Sequence, residues 1–219
     1  MISTELQRLN MVESQIRPSD VIDRRVIAAM RDVERERFVM KDNRSVAYVD
    51  EVIPLSNGRV LLPPRTLSKM VQHLELRQDD LVLDVGCGTG YSTAVISHIA
   101  QTVVGLESCE KLAAQATAAI SDARIDNAVV VVGALPDGHV EEGPYNAILL
   151  NGAIYSLDMH LLNQLKDGGR LVAIQIEEGY GRVRQWRRFG SNFDSRQVFD
   201  AVAPILPGFE LTKKFHFQL

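Results

Sequence analysis

The stretch Leu81-Val82-Leu83-Asp84-Val85-Gly86-Cys87-Gly88-Thr89-Gly90-Tyr91 decides the fold. Leu81 to Val85 is an apolar run of strand length, and helical periodicity follows from about Thr89 to Ala100, so three alternate glycines join a strand to a helix. Glycine there permits a tight turn and close approach of a ligand to the backbone. The helix start adds free N–H groups and partial positive charge, which suit a carboxylate or a phosphate. Glu107 ends the next apolar run, 17 residues beyond Gly90, where an acid can accept two hydrogen bonds from ribose hydroxyls. The combination predicts a nucleoside-bearing ligand; the plain alternative is a strand–helix turn followed by a solvated acid.

Outward from this loop, short apolar runs alternate with helical stretches. Strands are expected at Thr102 to Leu106, Val129 to Val132, Ala147 to Leu150 and Arg170 to Ile176, and helices at Ser108 to about Ala123 and near Asp158 to Leu165. Such alternation, with nearly continuous apolar strands, marks a parallel sheet covered on both faces. Val183 to Phe189 and Phe209 to Phe217 alternate apolar and polar residues and fit an antiparallel end of that sheet, making seven strands. Upstream, Leu6, Leu9, Val12 and Ile16 define an amphipathic helix with Thr4 and Gln7 as a capping box and Arg17-Pro18 as its end. Ile22, Val26, Met30 and Val33 define another, capped by Asp20, and Pro64 opens a third whose apolar face is Leu67, Met70, Val71 and Leu74. Tyr48 to Pro64, interrupted by Pro54, Asn57, Gly58 and Pro63, is expected to be a long loop, and loops of that length are commonly functional. The expected architecture is α/β, a doubly wound, mostly parallel seven-stranded sheet of Rossmann-like type. It forms one domain over residues 1–219, with 1–76 as a helical cover and substrate loop on a 77–219 core.

Composition narrows the function classes. A formal net charge of −4 with 24% charged residues lacks the positive excess of a phosphate-binding surface, so no nucleic-acid partner is expected. The one basic run, Arg182 to Arg188, alternates and reads as a strand with a charged face. No apolar run approaches the ~20 residues that span a bilayer, and the start of the chain lacks the basic-then-apolar pattern of an export signal. The two cysteines, Cys87 and Cys109, have no metal-ligand spacing, and the five histidines show no paired spacing, so a reduced, cytoplasmic protein without a metal is expected.

A dinucleotide site would need G-x-G-x-x-G. This loop instead has glycine at every second position with Asp84 two residues before the first, which favours S-adenosylmethionine. Leu83 to Tyr91 resembles the first motif of class I methyltransferases. More narrowly, the N-terminal helices, Arg37-Phe38-Val39, the Tyr48 to Met70 segment, the cofactor loop and Gly168-Gly169-Arg170-Leu171-Val172 follow the order of the protein-L-isoaspartate O-methyltransferase family, over roughly residues 5 to 177. The resemblance implies methylation of a protein or peptide carboxylate, with S-adenosylhomocysteine as the second product. It also implies that Asp84, Gly86, Cys87, Gly88 and Gly90 surround the amino-acid end of the cofactor and that Glu107 holds its ribose.

Two departures from the family pattern stand out. Where the family has Gly-Gln-Thr-Ile-Ser-x-Pro, this chain has Gly58-Arg59-Val60-Leu61-Leu62-Pro63-Pro64, so Leu62 stands at the catalytic hydroxyl position. Where the family has an acid that contacts the adenine amino group, this chain has Ala134 after Gly133. Losing one orienting donor costs ~3 kcal/mol, or ~100-fold in rate, and losing the adenine contact costs ~1 kcal/mol. Arg59 and Arg65 flank the altered loop and have the planar geometry to grip an acceptor carboxylate, against the plainer role of solvated loop arginines. Asn151 follows the fourth strand and is a candidate contact to the methyl-transfer region, against an ordinary loop cap. Three functions stay open: isoaspartyl methylation, methylation of another protein group or a small metabolite, and cofactor binding without turnover.

Overall fold

The computed structural model describes residues 3–211. Three helices lead. α1 (Thr4–Met11) is capped by Ser3, whose hydroxyl accepts from the Leu6 amide, and it passes into one π turn over Val12–Ile16. α2 (Arg24–Asp32) is capped by Asp23 rather than Asp20. Asp20 adopts a left-handed conformation, and Gln72 Oε1 takes the Ile22 and Asp23 amides, so the chain is extended before the helix begins. Between α2 and the next helix, the expected loop holds a small antiparallel hairpin, β1 (Ile53–Pro54) with β2 (Val60–Leu61). Leu55 N donates to Arg59 O and Arg59 N to Ser56 O, closing a three-residue loop in which Asn57 and Gly58 both have positive φ. Pro64 then opens α3 (Pro64–His73), whose Leu67, Met70 and Val71 are buried, as is Leu74 at its cap.

The sheet follows as β3 (Leu81–Val85), β4 (Thr102–Glu107), β5 (Ala128–Val132), β6 (Tyr145–Ile154), β7 (Leu165–Glu177), β8 (Tyr180–Phe189) and β9 (Asn192–Asp200). The intervening helices are α4 (Tyr91–Ser97), α5 (Glu110–Asp122) and the single turn α6 (Met159–Leu162). The strand order is β5-β4-β3-β6-β7-β8-β9, parallel from β5 to β7 and antiparallel through β8 and β9. This is the doubly wound seven-stranded sheet expected. The partner of β8 differs, however: it is β9, reached by a tight turn at Gly190, whereas Phe209 to Leu211 are not in a strand and residues 212–217 of the expected one lie outside the described residues. α6 is shorter than its periodicity suggests because Tyr145 N bonds Gln164 O and draws the chain into β7.

Met11 at the end of α1, Val12 and Ile16 in the π turn, and the apolar faces of α2 and α3 pack with α4 and one face of the sheet in a continuous cluster that includes Met30, Met70, Val82, Val103, Leu149 and Val172, whereas Leu6 and Leu9 of the expected apolar face are 45% and 43% exposed. The other face buries Leu83, Val104, Tyr145, Leu150, Leu171 and Leu206. Among the described residues no helix is long and apolar enough to cross a membrane.

Candidate functional site

The chain leaves β3 toward β4 on one side and leaves its neighbour β6 toward β7 on the other, and this reversal opens a crevice at the carboxyl ends of the parallel strands, where open α/β sheets bind ligands. Gly86, Gly88 and Gly90 all have positive φ, which other residues adopt only with strain, so the alternate-glycine spacing is a backbone requirement. Gly86 N and Cys87 N both donate to Leu106 O, tying the loop to β4.

Glu107 points into this loop and is fully buried. Its Oε2 accepts from Gly88 N at 2.9 Å and lies 3.4 Å from Arg59 Nε, while Oε1 accepts from the Ser108 and Cys109 amides. Asp84, also buried, accepts from the Ser92 and Thr93 hydroxyls through Oδ2, and Asn151 Nδ2 donates to the same Ser92 oxygen at 2.7 Å. Burial pushes the Asp84 carboxyl up to about 6 against those hydroxyl donors and the Arg59 charge, and burial pushes the Cys87 thiol up as well. Burial thus disfavours the thiolate, the form in which a cysteine acts as a nucleophile.

The substrate loop is arranged differently from its expectation. A hairpin alternates its side chains, so Ile53, Leu55, Arg59 and Leu61 share the inward face. Arg59 is therefore 3% exposed, and its Nη2 donates to Gly86 O at 2.5 Å. That corrects the reading of Arg59 as a loop arginine open to an acceptor carboxylate: its fork is engaged inside the glycine loop. Arg65 is exposed and pairs with Asp50, which also accepts the Arg65 amide. Gly58 sits exposed at the hairpin tip. Leu62 is buried, and its carbonyl accepts from Arg35 Nη2 at 2.7 Å. Ala134 is exposed just past β5, where no side-chain donor or acceptor is offered.

Two features escaped the sequence reading. Arg35 is wholly buried, lies 4.7 Å from the Tyr91 ring centre and bonds the carbonyls of Ala47 and Leu62, fixing the substrate loop to α4. The run Glu34-Arg35-Glu36-Arg37 gave no sign of this, because alternating charges normally mark a solvated face. The second is the segment after β9. Ala153 N donates to Pro204 O and Leu206 N to Ala153 O, laying residues 204–206 along the end of β6 with Leu206 fully buried. A cavity of about 470 Å³ elsewhere, lined by Asp32, Arg37, His98 and Arg124 among others, touches neither Gly86 nor Glu107.

The cradle suits a nucleoside cofactor by its own chemistry. It offers a glycine loop of the required backbone shape and a buried acid at the β4 end, with two buried acceptors, Asp84 Oδ1 and Asn151 Oδ1, that have no hydrogen-bond partner. Sheet order and cradle together define a class I methyltransferase fold.

Comparison with known proteins narrows this. A family model described as protein-L-isoaspartate(D-aspartate) O-methyltransferase matches residues 7–201. A protein-L-isoaspartate O-methyltransferase of Methanoculleus marisnigri is 39% identical over 167 residues, covering 76% of this chain and 76% of its own. One of Herpetosiphon aurantiacus is 37% identical over 192 residues, covering 88% and 86%. A solved protein-L-isoaspartate O-methyltransferase superposes with a TM-score of 0.82 at 21% identity, over 92% of this chain and 66% of that one. A putative Plasmodium falciparum member, solved with S-adenosyl-L-homocysteine, gives 0.77 at 20%, over 91% and 97%. The chain belongs to the protein-L-isoaspartate O-methyltransferase family.

Proposed function

We propose that this protein is an S-adenosylmethionine-dependent O-methyltransferase whose acceptor is a carboxylate on a protein or peptide, the isoaspartyl group being the family's acceptor. The observation that carries the reading is the buried Glu107 carboxylate facing a loop of three positive-φ glycines. When bound, S-adenosylmethionine supplies a methyl group on a sulfonium. Glu107 would hold the ribose hydroxyls, the Gly86 to Gly90 backbone and the Asp84–Ser92–Asn151 network the amino-acid end, with Cys87 filling space between them and Ala134 contributing only backbone beside the base.

A carboxylate acceptor with a pKa of ~4 is already ionised at neutral pH, so the chain needs no general base. It must align acceptor and donor and exclude water, effects worth up to ~7–11 kcal/mol in intramolecular models. The burial of Leu62, Leu61 and Leu55 on the loop supports exclusion of water. It does not support a hydroxyl-assisted step, because Leu62 has none. Arg65, outside the hairpin and exposed, would meet an approaching carboxylate by exchanging it for Asp50, its present partner.

The protein is further proposed to work in the cytoplasm without nucleic acid, a reading supported by its two free thiols and acidic balance. The deciding experiment incubates purified protein with radiolabelled S-adenosylmethionine and an isoaspartyl peptide, with Leu62→Ser alongside. Base-labile methyl ester from the unmodified protein is expected, rising on the order of 10- to 100-fold in the variant. Cofactor binding without ester from either protein sinks the isoaspartyl assignment and moves the acceptor to another group.

A further inference from the structure

The glycine loop is covered by this chain's own side chains. A methyl group placed on Gly86 would lie 2.5 Å from Arg59 Nη2 and 2.8 Å from Leu206 Cδ2. One on Gly152, at the end of β6, would lie 2.6 Å from Leu206 Cδ2. Leu55 reaches Gly88 in the same way, 3.1 Å from the position of a methyl there. Hairpin and C-terminal segment thus converge on Gly86, and the hairpin also reaches Gly88, two of the three glycines of the cradle.

The polar match is as specific as the steric one. The Arg59 guanidinium donates to the Gly86 carbonyl and faces the Glu107 carboxylate, so one cation satisfies a loop acceptor and the acid assigned to the ribose. With Arg59 counted, Glu107 accepts from five donors, the other four being Gly88 N, Ser108 N, Ser108 Oγ and Cys109 N. Little acceptor capacity is left for a diol while Arg59 stays. Leu206 fills the adjoining apolar space, and the two hydrogen bonds between residues 204–206 and Ala153 hold it there.

We propose that Arg59 and Leu206 form an autoinhibitory latch that occupies the cofactor cradle in place of the ligand, so that S-adenosylmethionine enters only when the β1–β2 hairpin and residues 204–206 withdraw. The proposal rests on the cofactor reading above and adds its regulation. A closed state reduces apparent affinity by the fraction of molecules that are open, and loosening the latch recovers that factor. The hairpin suits such a movement: it is two residues long on each side, with an exposed tip at Asn57 and Gly58.

The test is calorimetric titration with S-adenosylhomocysteine, paired with thermal melts of the ligand-free proteins. Arg59→Gln is expected to bind at least about 10-fold more tightly than the unmodified protein, equivalent to about 1.4 kcal/mol, while melting at a lower temperature without ligand. A residue that only supports the fold would lower both. Unchanged or weaker binding by Arg59→Gln, with the unmodified protein still binding, overturns the latch and leaves the cofactor reading standing. No binding by the unmodified protein, by Arg59→Gln or by Arg59→Gln with Leu206→Ala removes both. A second measurement needs no variant: at saturating ligand, hydrogen exchange at Ala153 and Leu206 is expected to accelerate, and increased protection there overturns the latch.

Discussion

Asp84 is fully buried, with one oxygen bonded to two hydroxyls and another with no partner. Its pKa is raised by burial from an ordinary 3.8 to about 6, with Ser92, Thr93 and Arg59 opposing. A carboxyl whose folded pKa lies above its unfolded one favours folding in its protonated form; that contribution is complete below about pH 3.8 and is lost as pH rises through about 6. At pH 7 the ionised group therefore disfavours the fold by up to about 3 kcal/mol. Asp84→Asn carries no charge at any pH, so its stability relative to the unmodified protein should rise between pH 4 and pH 7. Urea unfolding across that range checks this, and a flat difference would show that Asp84 titrates normally in the folded chain. Arg35 gives a contrasting case, a buried cation whose value is the two carbonyls it satisfies. Arg35→Met strands both, at roughly 1–3 kcal/mol each, and should lower the urea midpoint accordingly. A midpoint within error of the parent would mean that water takes over both carbonyls. Asp84 was legible from the strand–Asp–x–Gly spacing; Arg35 was not, because nothing local distinguishes a buried arginine from its three charged neighbours.

At the scale of elements, periodicity located the parallel strands and the helices well, since their apolar residues must face a covered sheet. It failed where geometry is set by single residues. Asn57-Gly58 reads as a loop breaker, yet two positive-φ positions between Leu55 and Arg59 close a hairpin, and only the hairpin's alternation sends Arg59 inward. Asn192 to Asp200 alternates too poorly to read as a strand, but it follows β8 directly across a glycine turn and pairs with it as β9. For α1 and the turn after it, periodicity by itself does not decide whether an apolar face covers this chain or a partner copy. Met11, Val12 and Ile16 are buried against the chain's own core, while Leu6 and Leu9 stay exposed. Removing residues 1–17 should expose apolar surface on α2 and α3, and each buried side chain of this kind is worth about 1.5–3 kcal/mol. A melting temperature lowered by 10 °C or more is expected for a domain of this size. An unchanged one would mean that the segment lies on the surface without holding it.

The whole molecule poses the question of whether residues 1–76 are an appendage or part of the fold. One apolar cluster runs from Met11 through Met30, Phe38, Leu67 and Leu74 into Val82, Val103, Leu149 and Ile174, without a boundary between cover and sheet. Polar ties cross at the same place: Arg170, on β7, donates to the carbonyls of Leu74 and Glu75 and pairs with Asp80 at 2.8 Å. Gln185 on β8 reaches the His73 carbonyl. The cradle itself spans the division, since Arg59 and Glu107 come from opposite sides of it. We therefore expect one cooperative unit. A fragment of residues 77–219 keeps every strand of the large sheet but bares the face that α1 to α3 cover, so it should show secondary structure without fixed packing: far-ultraviolet dichroism retained, near-ultraviolet dichroism lost and an apolar dye bound. The full chain should unfold in a single urea transition with coincident probes. A fragment that unfolds cooperatively near the midpoint of the full chain would divide the protein at residue 76. It would also make the hairpin and its Arg59 a separable lid on a core that holds the cradle by itself.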